Sequence, residues 1–404
     1  MSERKDMSTS MRIRVVSAMG EIPAATWDAC ANPAARTDAA VPPFNPFITH
    51  DFLSSLEISR SAVACTGWQP QHLVAEDERG AVLGVVPCYL KSHSRGEYVF
   101  DRGWAEAYER AGGDYYPKLQ VSVPFTPANG RRLLVAPGDR SQEVEAALVQ
   151  GLVELCRLSE ASSVHVTFMP QREWEIFAGR GFLKRTDQQF HWENAGYATF
   201  DDFLAALAAR KRKVLKRERR EALQAGIEVQ WLTGSDLTES VWDTFFAFYM
   251  ETGSRKWGRP YLTREFFSLV GEKMADRILL IMAKRAGRYI AGAINFIGSD
   301  TLFGRHWGAV EHHPFLHFEL CYYQAIDYAI ANKLPRVEAG AQGEHKLARG
   351  YMPVTTYSAH YIADPALRRA IADYLMRERA YIEAAGRELG ELSPFRKDFA
   401  AEEA

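Results

Sequence analysis

Cysteine is scarce in this chain of 404 residues. The five cysteines, Cys30, Cys65, Cys88, Cys156 and Cys321, are scattered, odd in number and without metal-ligand spacing. That argues against a disulfide framework and a structural zinc module, and for a reducing compartment. Long apolar runs are missing too: none reaches the roughly 18 residues needed to span a bilayer. The charged start MSERKDMSTSMRIRVV leads into no apolar signal region, so a cytoplasmic location is expected. Nor is there an excess of one charge. Lys and Arg number 49 against 51 Asp and Glu, a net charge of −2, so a polyanionic partner must be met by a local patch. GxSxG, HExxH, a P-loop and a GxGxxG opening a helix are all absent, which removes the common hydrolase, metalloprotease and nucleotide-loop readings. His312 and His313 beside Glu311 have no further ligand in pattern, so no metal is expected.

What remains is a globular composition, 47% hydrophobic and 25% charged, on a chain long enough for two or three domains. Its first half alternates strands, helices and a hairpin with one helical crossover. Near 194–197 the pattern breaks. A long helix is predicted over 200–225, capped by Thr199, with eight Lys or Arg residues between 210 and 220. Helices over 237–252 and 263–274 follow, then strands over 277–283, 289–297 and 301–307. A helix over 317–331, strands over 336–339 and 355–361, and a helix over 365–389 complete the chain. The two halves share this outline without sharing residues. The expectation is α+β, with units at 11–195 and 196–404.

The stretch 338–354, EAGAQGEHKLARGYMPV, concentrates charge between two apolar runs and reads as a loop mounted on a sheet. Lys346 is a candidate to stabilise an oxyanion or hold a donor phosphate. Arg349 is a candidate clamp for a carboxylate or phosphate. Glu344 or His345 could act as base towards an amine, though adjacent side chains of an extended segment cannot both enter one cleft. The plain alternative is a solvated turn. His306 and Trp307 end a strand facing this loop. Glu319 shares an apolar helix face with Tyr322 and Tyr323, where burial should raise its pKa unless a cation pairs with it. Lys211 falls on the apolar stripe of the basic helix rather than its wet face. In the first half, Asp101, Trp104, Tyr108, Tyr115 and Tyr116 form an aromatic group with one carboxylate, suited to a sugar or peptide or to packing on itself.

The segment KRKVLKRERREALQAGIEVQ resembles the basic helix that opens the second domain of Fem-type peptidyl- and aminoacyltransferases. NPFITHDFLSSLE, VPFTPANGRRLLV and HKLARGYMPV together resemble the Fem-like proteins of Proteobacteria, grouped with the Gcn5-related N-acetyltransferase (GNAT) superfamily. The resemblance spans nearly the whole chain. It implies tandem GNAT-like domains. The basic helix and the charged loop on one domain lead to the expectation of an aminoacyl or acyl group transferred to an amine, with a cell-wall precursor as one acceptor. On their own chemistry Lys346, Glu344, His345, His306 and Glu319 are the catalytic candidates. Arg349, Tyr351, Lys211, Trp307, Tyr323 and Trp104 become substrate-binding ones. The donor would be charged tRNA, met by the 210–220 helix, or acyl-coenzyme A. The coenzyme option lacks its usual phosphate loop, since GAVEHHPFLHFEL carries Pro314 where free N–H groups are wanted and Glu319 near a helix N-terminus. A non-catalytic module binding a precursor or nucleic acid is the remaining alternative.

Overall fold

The computed structural model describes residues 10–34, 42–257, 260–340 and 343–396. Two sheets organise them. A four-stranded antiparallel sheet is built from Met11–Val16, His72–Asp77, Val82–Val86 and Leu134–Val135. The second sheet has eleven strands. From one edge it runs through Ile227–Leu232, Ile278–Arg285, Arg288–Ile297, Thr301–Ala309, Arg336–Glu338 and Leu183–Glu193. It continues through Met352–Ile362, Ser163–Met169, Lys118–Val121, Cys88–Lys91 and Trp68–Pro70.

The sheet passes without a break through both halves. Leu183–Glu193 lies between Arg336–Glu338 and Met352–Ile362, with Met352 opposite His191 and His360 opposite Leu183. The last strand also pairs with Ser163–Met169. A shared core joins the halves from above. Phe47 packs at 5.1 Å from both Phe296 and Phe303, and Phe52 lies at 5.7 Å from Phe266. Each fully buried ring of this kind stabilises by about 2 kcal/mol. The mixed α+β character expected from the sequence is what the chain adopts.

Helix starts follow their capping residues. Thr49 Oγ1 accepts from Phe52 N, and Thr199 and Asp202 form a reciprocal capping box. The long basic helix, however, is two helices, Phe200–Ala206 and Ala209–Ala222. Leu207 and Ala208 between them are extended. Ala208 N donates to Pro394 O at 2.9 Å, and Arg396 N to Ala206 O at 3.0 Å. Pairing with the C-terminal tail replaces the helix's own hydrogen bonds there. The helix expected over 317–331 is likewise divided. Leu316–Phe318 is one α turn, Glu319–Tyr323 is π-helical, and Gln324–Ala331 is α again. The expected loop contains a 3₁₀ segment, Glu344–Arg349. The irregular aromatic stretch of the first half holds a helix, Arg102–Arg110.

Candidate functional site

A cleft of about 840 Å³ opens between the two halves. The first half supplies His93, Ser94, Arg95, Tyr98, Asp101 and Tyr116. The second supplies Tyr249, Tyr261, Asn295, Gly304, Arg305, His306, Trp307, Cys321 and Tyr322. Aromatic walls with a few polar groups are the usual lining of a small-molecule site.

The first-half wall rests on a buried ionic cluster. Lys118 Nζ donates to Glu97 Oε2 at 2.7 Å, to Ser94 Oγ at 2.8 Å and to Asp101. Tyr115 OH donates to Asp101 Oδ2 at 2.8 Å. Lys91 Nζ lies 3.6 Å from Glu97 and 3.6 Å above the Trp68 ring. Burial pushes the Lys91 ammonium down to about 7, against the pull of Glu97. Burial would raise the Asp101 carboxyl, yet Lys118, His165 and Ser94 together hold the group below its ordinary range. Behind this cluster, His165 Nδ1 meets His360 Nδ1 at 2.7 Å, and burial lowers both imidazoles. Trp104 is buried against these two rings, and the cleft lining does not include it.

The second-half wall is shaped by two irregularities. Thr301–Ala309 carries a bulge: Ile294 opposes His306 and Asn295 opposes Gly304, so Arg305 has no opposite number. Bulges re-aim side chains in this way, and here Gly304 through Trp307 all reach the cleft. The π-helical turn places Cys321 and Tyr322 on the cleft. Burial, with Arg305 beside it, pushes the His306 imidazole down to about 3. Glu338 is buried under the same wall, and burial pushes its carboxyl up to about 7.

The loop sits against this wall. Lys346 is 2% exposed. Its Nζ donates to Gly340 O at 3.0 Å, and burial pushes it down to about 8, with Cys321 and Arg305 close enough to act on its charge. His345 is exposed, its Nε2 at 2.9 Å from Tyr322 OH. The side chain of Glu344 lies outside the described residues. Arg349 is buried, and its Nη2 donates to both carboxylate oxygens of Glu218 at 2.9 Å. Tyr323 OH donates to the same carboxylate, and Tyr351 OH to Tyr322 O at 3.3 Å. Glu319 is fully buried. Arg219 donates to both of its oxygens and to Asp327. Its charge is thus compensated and not directed at a phosphate. Lys211 is half-buried and forms no hydrogen bond or ion pair among the described residues.

Of the expected site residues, then, His306 and Trp307 line the cleft, His345 meets Tyr322 of its second-half wall, and Lys346 is buried behind that wall without lining the cleft. Arg349, Tyr323, Tyr351 and Glu319 pack behind it. Asp101 and Tyr116 of the expected aromatic group also line the cleft, whereas Arg305, Glu338 and Glu218 carry no role in the sequence reading. Glu218 carried a readable signal: it is a carboxylate on the apolar stripe 204, 207, 211, 215, 218, 222. Arg305 carried none, because a bulge leaves no trace in local periodicity. Among the described residues no group of three His, Cys, Asp or Glu side chains could hold a metal ion, and no helix is long and apolar enough to cross a membrane.

A family model described as FemAB-like, peptidoglycan biosynthesis/recognition, matches residues 18–397. No curated protein matches the sequence. Among solved structures, FemX is similar at 12% identity, over 87% of this chain and 98% of that one, with a TM-score of 0.53. A domain from Agrobacterium fabrum, named as the C-terminal domain of a lysylphosphatidylglycerol synthetase, is similar at 9% identity. It covers 81% of this chain and 90% of that one, with a TM-score of 0.50. A tandem GNAT protein from the clavulanic acid pathway matches at 15% identity, over 88% of this chain and 99% of that one, with a TM-score of 0.46. At such identities the likeness to FemX and to the Agrobacterium fabrum domain is one of fold.

Proposed function

The chain belongs to the FemAB-like family of peptidoglycan biosynthesis and recognition, and we propose that it transfers an aminoacyl or acyl group to an amine acceptor held in the cleft. A cell-wall precursor is the acceptor class that the family description favours. The observation that carries this reading is Lys346: a buried ammonium, pushed down to about 8, behind the wall of the large cleft.

The acceptor nitrogen attacks the donor's carbonyl carbon, forming the C–N bond and leaving the carbonyl oxygen as an oxyanion. Lys346, mostly protonated at neutral pH, contributes positive charge to that oxygen from behind the second-half wall. Collapse breaks the bond to the donor's leaving group, which departs with the proton lost by the amine. His306 is neutral, hence in the form that accepts a proton, but it is a weak base. The departing alkoxide is the stronger acceptor. The remaining contribution is orientation by the aromatic walls.

Charged tRNA is the donor we favour. Arg210, Lys213, Arg217 and Arg220 are exposed at helical spacing along Ala209–Ala222. Such a row tracks a phosphate backbone. The test offers purified protein a precursor with either charged tRNA or acyl-coenzyme A, and mass spectrometry reads the new amide. Amide formed with tRNA supports the proposal. Amide formed only with the coenzyme replaces the donor. Precursor binding with no amide from either donor identifies a binding module.

A further inference from the structure

The cleft holds a cation that the described residues leave without an ion pair. Arg305 is the bulge residue of Thr301–Ala309, and among the described residues it forms no ion pair. Among the described residues its one side-chain hydrogen bond runs from Nη2 to Phe125 O at 3.0 Å, and the Phe47 ring lies 5.9 Å from its guanidinium. Phe125 holds a left-handed backbone, φ 59°, and stacks on Tyr261 at 4.8 Å. Non-glycine residues in that region cost about 1–3 kcal/mol and persist where the surroundings over-determine them. The strained carbonyl therefore fixes one edge of the guanidinium and leaves the rest for the cleft. Around it stand groups that are neutral at pH 7. They are the His306 imidazole and the Tyr98 phenol, whose pKa burial raises. Asp101, a carboxylate on the cleft wall, is already bound by Lys118. Glu338 acts on Arg305 from beyond ion-pair distance. Arg95 and Arg102 add positive charge on the facing wall.

A half-buried guanidinium with no carboxylate at ion-pair distance is left short of counter-charge, and a ligand oxyanion is the partner that would offset it. We propose that Arg305 anchors an oxyanion of the cleft's ligand, a carboxylate or a phosphate, with Tyr98 and His306 as neighbouring donors. Arg305 is here a binding residue. The site needs no acyl transfer to exist, so it can be tested on the protein alone.

The protein is titrated with inorganic phosphate and, separately, with acetate, in a cationic buffer at constant ionic strength. Arginine Nε–H signals are followed by NMR. The Arg305 signal is assigned by its loss in Arg305→Lys. A saturable shift of that signal is expected with one or both anions, and the arm that saturates at lower concentration identifies the group. With affinity in each variant read by isothermal titration calorimetry, Arg305→Gln should weaken binding about ten-fold, the loss of one charge-assisted contact. Arg305→Lys, which keeps the charge but not the fork, should weaken it less. If Arg305→Gln does not fold, Arg305→Lys decides by the same shift in affinity. An Arg305 signal that neither anion moves, or affinity unchanged in both variants, would overturn the proposal. Neither result bears on whether the protein transfers acyl groups, which the amide assay reads independently.

Discussion

Glu218 and Arg349 are 131 residues apart, yet one guanidinium nitrogen lies 2.9 Å from both oxygens of the carboxylate, with both side chains buried. Arg349 Nη1 also donates to His345 O at 2.6 Å, and Phe318 lies 3.5 Å beneath the guanidinium. The next residue, Arg219, binds Glu319 of the π-helical turn. Two consecutive residues of the basic helix therefore pin the Glu319–Tyr323 turn of the cleft's second-half wall and the Glu344–Arg349 segment behind it. The helix presents its inner face to the site and its outer cations to solvent.

Breaking this pair should loosen the loop. Glu218→Gln leaves a buried guanidinium without its counter-charge and is expected to cost about 3 kcal/mol in urea unfolding. Tyr323→Phe, which removes one hydrogen bond to the same carboxylate, should cost about 1 kcal/mol. Amide exchange over 343–351 should accelerate in Glu218→Gln more than in the core strands.

The outer cations should behave differently. Replacing Arg210, Lys213, Arg217 and Arg220 by Gln touches exposed side chains only, so the unfolding midpoint should hardly move. Binding to tRNA should weaken, and the slope of log affinity against log salt should flatten by about one unit per lost phosphate contact. Filter binding across a salt series reads both. An unchanged slope would remove this helix from donor binding.

Two buried groups predict opposite pH trends in stability. Glu338 is raised from its ordinary 4.5 to about 7, so between those values the folded chain holds a proton that the unfolded chain has lost. Stability then falls as pH rises through that window. Lys346 is lowered from 10.5 to about 8, so between those values the unfolded chain holds the extra proton and stability rises with pH. Glu338→Gln should flatten the first limb and Lys346→Met the second, in urea unfolding at stepped pH.

Gly308 lies under the helix Glu239–Trp257. A Cβ there would sit 2.0 Å from Phe248 O, a backbone atom that no rotamer change can move. Gly308→Ala should cost about 3 kcal/mol by overpacking. It should also disturb the cleft, because the same helix carries Tyr249, Thr252 and Gly253 to it.

Much of this was legible in the sequence where the cause is local. Thr49 and Thr199 announce their helices because capping is a matter of three or four residues. The strands on either side of 338–354 announce themselves by apolar runs. What stayed hidden is set by distant partners. The break at Leu207 and Ala208 depends on Pro394 and Arg396. The π-helical turn adds a residue that a period of 3.6 cannot register. Arg349 looked like a ligand clamp because its partner, Glu218, is remote in the chain. The first-half wall was underestimated because a cleft between two halves has no signature in either.

The measurement that bears most directly on the reading of this site is single-turnover transfer by Lys346→Met, with charged tRNA and a cell-wall precursor, beside the unchanged protein. Loss of the oxyanion's cation should lower the rate about 10²–10³-fold while the precursor still binds. In the unchanged protein the rate should fall as pH rises past about 8, where Lys346 loses its proton. Lys346→Arg should abolish that fall by keeping its charge. Transfer at the original rate in Lys346→Met would contradict the account.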